Sequence, residues 1–282
     1  MKLVLFDIDG TLLNTGASGV KTINKVIYDK YGKKPCYDVQ EIVGKPDKYN
    51  FELIYRSVFN KKPTTKIMQD LLTAYLAALP GEINEQIKTK KYKTITGIEK
   101  FLQELSKHKD IVLGLATGNS EQAARIKLEP AKLNKYFKTG GFGWCSADRA
   151  KMLAEGVKNA SKEYKYNFKP EEVFIIGDTQ YDIIAAKENG YHSAVVLESS
   201  LADKEKLFRA AAELEAQDFT DIKLWFMWLG LSSDPKGVKK GSYIMPASAI
   251  EHVFFSRTGI DEESLKKFRI KKYEDLESGT LW

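Results

Sequence analysis

The chain has 282 residues, 29% charged and 43% hydrophobic, with a formal net charge of +6. That length supports one core plus a small insertion; no apolar run would span a bilayer, and no basic run is dense or aromatic-interleaved enough for nucleic acid. Cys36 and Cys145 lack metal-ligand spacing and read as reduced thiols, Cys145 as a packed one, of a soluble cytoplasmic protein with no leader before its first strand.

Residues 1–13 open as an apolar strand that runs into Asp7-Ile-Asp9-Gly10-Thr11. Strand side chains alternate between faces, so Asp7 and Asp9 leave the strand end on one side. Two crowded carboxylates repel each other unless a cation lies between them, which points to metal-assisted chemistry. Gly10 lets the backbone turn closely around that cation. From 16 to 93 every strong pattern is helical. Val20, Ile23, Val26, Ile27 and Tyr31 share a face, and Asp38 with Glu41 signals a helix start ahead of Ile42 and Val43. Phe51, Ile54, Tyr55 and Phe59 follow Pro46. A further helix carries Ile67, Leu71, Leu72, Tyr75 and Leu79 and is expected to stop at Pro80-Gly81. About four helices without a strand predict a compact all-α cap. Residues 15–94 hold fifteen Lys or Arg against eight Asp or Glu, a surplus of seven that leaves the rest at −1. A basic module facing an acidic core suits an anionic substrate between them.

Beyond residue 94 strands and helices alternate. Helix is expected at 97–108, strand at 111–116 ending in Thr117-Gly118-Asn119, helix at 120–133, and a short glycine-rich strand at 140–144. Helix 148–164, strand 173–176 ending in Gly177-Asp178-Thr179, helix 181–189 and strand 194–197 follow. Asp178 and Asp182 lie four apart, on one face of the helix that starts there. Repeated β-then-α units predict an α/β fold with a Rossmann-like parallel sheet and helices on both faces. Three strands ending in polar turns imply one crevice at the carboxyl edge of that sheet. Helices are expected at 204–215 and 221–229, with Trp225, Phe226 and Trp228 packing into the core. A linker at 232–241 and short helices at 246–257 and 261–268 complete the reading. The predicted organisation is a core of residues 1–15 and 94–231, a helical cap of 16–93 and a C-terminal extension of 232–282.

Asp-x-Asp-Gly-Thr, then a strand ending Thr-Gly-Asn, then Gly-Asp-Thr-x-x-x-Asp resembles the haloacid dehalogenase superfamily over roughly residues 1–200. The best fit is its branch with a helical cap after the first motif, that of phosphoglycolate phosphatase and β-phosphoglucomutase relatives. The resemblance implies a Mg²⁺-dependent phosphatase acting on a small phosphorylated metabolite, a monomer or homodimer without nucleic-acid or membrane partners. Its alternatives are a sugar phosphomutase, or a partner-binding protein using the extension. By the same resemblance Asp7 is the nucleophile that forms an aspartyl-phosphate, and Asp9 is the general acid and base. Asp7, the backbone carbonyl of Asp9 and Asp178 would hold Mg²⁺, with Asp182 a supporting or alternate ligand. Gly10, Thr11, Thr117, Gly118 and Asn119 would bind the phosphoryl group. An acid at position 9 favours an ester oxygen over a halide as leaving group, because a halide needs no proton. The family's Lys-Pro-x-Pro segment is missing. Ser146-Ala-Asp148-Arg149-Ala-Lys151 stands in its place, which makes Arg149 the expected cation at catalysis and phosphate, with Lys151 the alternative. The turn Gly44-Lys45-Pro46-Asp47-Lys48 resembles the loop through which such caps touch substrate, so Lys45 and Lys48, with Arg56 nearby, are candidate contacts.

Overall fold

A computed structural model describes residues 1–231 other than 145 and 147. Cys145, the linker at 232–241 and the helices expected at 246–257 and 261–268 lie outside the described residues.

The chain enters through strand β1 (Lys2–Phe6), turns through Asp7–Gly10 and forms a short strand β2 (Leu13–Thr15). Three helices follow, α1 (Ser18–Tyr31), α2 (Asp47–Phe59) and α3 (Thr65–Lys88). Strand β3 (Tyr92–Thr94) then returns antiparallel to β2, with Leu13 opposite Thr94. The module expected to be all helix therefore stands on a two-stranded ribbon. Its helices share a core of their own, in which Ile23, Ile27, Phe51, Ile54, Leu71, Tyr75 and Leu79 are buried.

Two sequence expectations fail here for physical reasons. Helix α3 does not stop at Pro80 but runs through it to Lys88. Pro80 itself is exposed, while Leu79 and Ile83 on either side are buried. Each contributes about 1.5–3 kcal/mol of burial, enough to offset the roughly 3 kcal/mol that an interior proline costs. The helix signalled by Asp38 and Glu41 is a single 3₁₀ turn, Val39–Glu41, in which Asp38 accepts from the Gln40 amide.

The remaining elements alternate as expected: α4 (Ile98–Leu105), β4 (Ile111–Thr117), α5 (Glu121–Leu128), β5 (Thr139–Phe142), α6 (Arg149–Tyr164), β6 (Val173–Gly177), α7 (Gln180–Glu188), β7 (His192–Val196), α8 (Lys204–Ala210), β8 (Leu214–Ala216) and α9 (Ile222–Trp228). Six strands form one sheet in the order β5-β4-β1-β6-β7-β8, every pair parallel. As the centre of that sheet, β1 is buried on both faces, which is why its side chains form an unbroken apolar run. Val4 and Phe6 pack into one core with Phe101, Phe219 and Trp225, whereas Leu3 and Leu5 pack into the other with Met152 and Leu153. The edge strand β8, which was not expected, overlaps the end of the segment 204–215 expected to be helix. Ala211 takes a left-handed φ of 55° and ends α8; Leu214 and Ala216 then alternate inward against the sheet. Helix α5 likewise ends at Leu128, five residues short of its expected limit.

Candidate active site

Strands β1, β4 and β6 lie side by side, so their carboxyl ends deliver Asp7, Thr117 and Asp178 to one crevice. A cavity of about 370 Å³ opens there, lined by Asp7, Asp9, Thr117, Asn119, Arg149 and Asp178 from below and by helices α1 and α2 from above.

Asp7 is buried, and its amide donates to the Ile176 carbonyl at 2.9 Å, which fixes its backbone against β6. Asp7, Asp178 and Asp182 each bring a carboxylate oxygen within 4.8 Å of the other two. Asp182 is positioned by the start of α7, where its Oδ2 accepts from the Thr179 amide at 3.1 Å and hydroxyl at 2.8 Å. Arg149, at the start of α6, spans the cluster. Its Nε donates to Asp182 Oδ1 at 2.9 Å and an Nη to Asp7 Oδ2 at 3.0 Å. Its other Nη donates to the Gly44 carbonyl at 3.2 Å, so the same side chain ties the loop before α2 to the crevice. Lys151, the alternative cation, is exposed and pairs with Asp148.

Three buried carboxylates face one guanidinium, which leaves two negative charges without an internal partner. Burial, and then each other's charge, push Asp178 well above the ordinary carboxylate range. Burial likewise raises Asp7 to about 6, although Arg149 pulls it down. Asp178 Oδ1 is buried with no donor among the described residues. Gly10 has φ +88°, and an ideal Cβ there would stand 2.2 Å from Asp178 Oδ2, so only glycine lets the turn close on that carboxylate. Hard oxygen donors, surplus negative charge and an orphaned oxygen fit a divalent cation such as Mg²⁺.

Asp9 sits in different surroundings. Its Oδ1 accepts from Thr15 at 2.7 Å, and its Oδ2 from Asn119 at 2.9 Å and from Lys127 at 2.6 Å. Burial raises its carboxyl, but the Lys127 ammonium and these hydrogen bonds outweigh that and hold it below its ordinary value. Lys127, buried on α5, also donates to Asn119 Oδ1 at 2.6 Å, and Asn119 in turn donates to Thr117 Oγ1 at 2.8 Å. Two adjacent carboxylates are thus driven apart, one toward its neutral form and one toward its ionised form.

Several sequence expectations are corrected by these positions. The Gly10 amide donates to Leu13 O and the Thr11 amide to Ile8 O, so neither is free for a phosphoryl oxygen. The Thr11 side chain is buried and does not line the cavity. Lys48 is exposed and away from the cavity, as is Arg56. Lys45 does line the cavity, but its ammonium rests 3.9 Å from the centre of the Tyr181 ring. Sequence reasoning missed Lys127 and Asp47. Asp47, the first residue of α2, accepts from the Ser120 amide through Oδ2 at 2.9 Å, and its own amide donates to Gly118 O at 2.7 Å. Lys127 lies on α5, which starts at Glu121 just past Asn119, and no local spacing marks it as a site residue.

The family model for haloacid dehalogenase-like hydrolases matches residues 4–196. The chain belongs to this family. It is 27% identical over 197 residues to a pyrophosphatase, PpaX, of Anoxybacillus flavithermus, a match covering 68% of this chain and 82% of that protein. It is 26% identical over 221 residues to a phosphorylated carbohydrates phosphatase of Thermotoga maritima, covering 75% and 92%. A crystal structure of β-phosphoglucomutase from Clostridium difficile shares the fold, with a TM-score of 0.61 at 16% identity over 82% of this chain and 97% of that one. As a haloacid dehalogenase-like hydrolase the chain is an enzyme, and among the described residues no helix is long and apolar enough to cross a membrane.

Proposed function

We propose that this hydrolase is a Mg²⁺-dependent phosphatase that releases phosphate from a small phosphorylated metabolite through an aspartyl-phosphate on Asp7. The observation that carries this reading is the carboxylate cluster of Asp7, Asp178 and Asp182, matched by a single guanidinium and holding one oxygen without a donor.

Asp7, Asp178 and the Asp9 carbonyl would hold Mg²⁺, with Asp182 in support through Arg149. When bound, the ion neutralises phosphoryl oxygens and draws off charge that builds on them during transfer. Asp7 attacks phosphorus with one oxygen and displaces the ester oxygen; Asp9, which Lys127 holds ionised before substrate binds, would take up the proton that a phosphate monoanion brings and pass it to that oxygen. Asp9, returned to its ionised form beside Lys127, then accepts a proton from the water that cleaves the acyl phosphate. Arg149 orients Asp7 and offers donors to the phosphoryl group, and Thr117 with the amide of Gly118 would complete its cradle, the Asn119 amide being held by Thr117 Oγ1 at 3.3 Å. Helices α1–α3 act as a lid that excludes water during the first half-reaction.

The test is phosphate release from a panel of phosphate monoesters by the full chain with MgCl₂. Asp7→Asn, which keeps the fold because it relieves repulsion, is expected to lower the rate at least a thousandfold. EDTA is expected to stop release. A variant that kept more than a few per cent of the rate, or full activity in EDTA, would overturn the assignment; conversion of a sugar phosphate to its isomer without free phosphate would indicate a phosphomutase instead.

A further inference from the structure

The proposed reaction gives Lys127 no task of its own, yet its side chain is buried and lines the cavity. Taking an ammonium out of water is unfavourable unless it is paired and hydrogen-bonded. Among the described residues the acid it pairs with is Asp9. A Cβ at Gly19, at the start of α1, would stand 3.3 Å from Lys127 Nζ and 3.2 Å from the Tyr75 hydroxyl, so glycine there leaves room for the cap to sit over the ammonium. An ammonium donates and never accepts, which fixes the direction of a chain of hydrogen bonds. Because Lys127 donates to Asn119 Oδ1 at 2.6 Å, the Asn119 side-chain nitrogen must face the other way. There it donates to Asp9 Oδ2 at 2.9 Å and to Thr117 Oγ1 at 2.8 Å. The backbone amide of Asn119 takes the second lone pair of that hydroxyl, which leaves Thr117 only its own proton to offer to the cavity it lines. Lys127 also donates to Asp9 Oδ2 at 2.6 Å, while Thr15 holds Asp9 Oδ1 at 2.7 Å. A flipped Asn119 amide would set its NH₂ against the ammonium and leave Asp9 one donor short.

We infer that Lys127 is a positioning residue of the hydrolytic half-reaction. Through Asp9 and Asn119 it fixes the carboxylate that receives the proton of the attacking water and the Thr117 hydroxyl that donates to the phosphoryl group. The inference rests on the phosphatase reading and adds to it a residue outside the motifs that mark the site. In the hydrolytic step the water oxygen bonds to phosphorus and the bond from phosphorus to Asp7 breaks. The water proton passes to Asp9, and Asp7 regains its carboxylate. That step needs Asp9 charged and held in place, and a neighbouring ammonium favours the charged carboxylate. Forming the aspartyl-phosphate from an ester whose leaving group departs without a proton needs Asp9 far less. Loss of Lys127 therefore slows breakdown of the intermediate more than its formation.

The experiment uses the full chain, MgCl₂ and radiolabelled p-nitrophenyl phosphate, whose nitrophenolate needs no proton to leave. Rapid acid quench follows the rise of phosphorylated Asp7, and an unlabelled chase follows its decay. Lys127→Met keeps the apolar stem without the charge. It is expected to slow decay about tenfold or more, and formation by less than about threefold. Lys127→Gln, which can still donate to Asn119, is expected to show the same split and decides the matter if the Met variant does not fold. Equal slowing of both steps, as a merely structural role would give, or decay within about twofold of the parent, overturns the inference and leaves the phosphatase reading standing. A parent that releases no phosphate, or releases it without phosphorylating Asp7, overturns both.

Discussion

Arg149 is the only cation in direct contact with Asp7 and Asp182 among the described residues, so replacing it tests how the acid cluster is held. Arg149→Met keeps length and apolar bulk but removes the charge. Breaking a buried ion pair by deleting one partner costs about 3–5 kcal/mol, because the other charge stays buried. The cluster has one escape, protonation of Asp7. With its carboxyl at about 6, neutralising it at pH 7.5 costs about 2 kcal/mol at 1.36 kcal/mol per pH unit, and almost nothing at pH 5.5. A raised folded-state value means that the penalty is present above that value and is relieved as pH falls through it. Without the guanidinium, which lowers Asp7, the relief begins at a still higher pH. Arg149→Met is therefore expected to lose about 2 kcal/mol at pH 7.5 in EDTA, roughly 4–8 °C in Tm for a chain of this size. The deficit should shrink steadily toward pH 5.5, and MgCl₂ should raise the Tm of the variant. Denaturation at three pH values, with and without metal, is the assay. A loss under about 1 kcal/mol at pH 7.5, or one that grows on acidification, would refute the reasoning.

Three further outcomes follow from the geometry. Gly10→Ala places a methyl group against Asp178 at a left-handed φ, and Mg²⁺ affinity by calorimetry should fall at least tenfold. Pro80→Ala restores an amide to the interior of α3 at an exposed position, and chemical denaturation should show a gain of about 1–2 kcal/mol. His192 is raised by its hydrogen bond to Glu213, against the effect of burial. That contribution is full below the unfolded value of about 6.5 and lost as pH rises through the folded one. His192→Gln should accordingly lower Tm more at pH 5.5 than at pH 8.5, and an equal drop at both would contradict the pairing.

The acids were legible because Asp7 and Asp178 stand where strands end and Asp182 lies in the first turn of the helix that follows the second of them. Asp7, Asp178 and Asp182 are marked by an apolar run, a glycine and a hydroxyl residue, a local pattern that needs no knowledge of the rest of the chain. Arg149 was legible through the family resemblance, as the cation standing where the missing Lys-Pro-x-Pro lysine would fall, with Lys151 its alternative. Lys127 was not, because Arg-Ile-Lys-Leu reads as an ordinary helix surface; only the packing of α5 against α3, with Gly19 at the start of α1 close to the lysine, buries its ammonium. Asp47 was hidden for a similar reason, since its contact with Ser120 joins residues 73 apart. Strand β8 was lost to propensity, the run of alanines at 210–212 favouring helix until the left-handed Ala211 breaks it. Register and tertiary burial override local preference at such places.

The account stands most directly on whether Asp7 becomes phosphorylated. A phosphate monoester that the protein hydrolyses, turned over with MgCl₂, quenched in acid within milliseconds and digested, should yield the peptide containing Asp7 carrying one phosphoryl group, and Asp7→Asn should yield none. Steady phosphate release with that peptide unmodified at every quench time, or with the phosphoryl group on another residue, would contradict it.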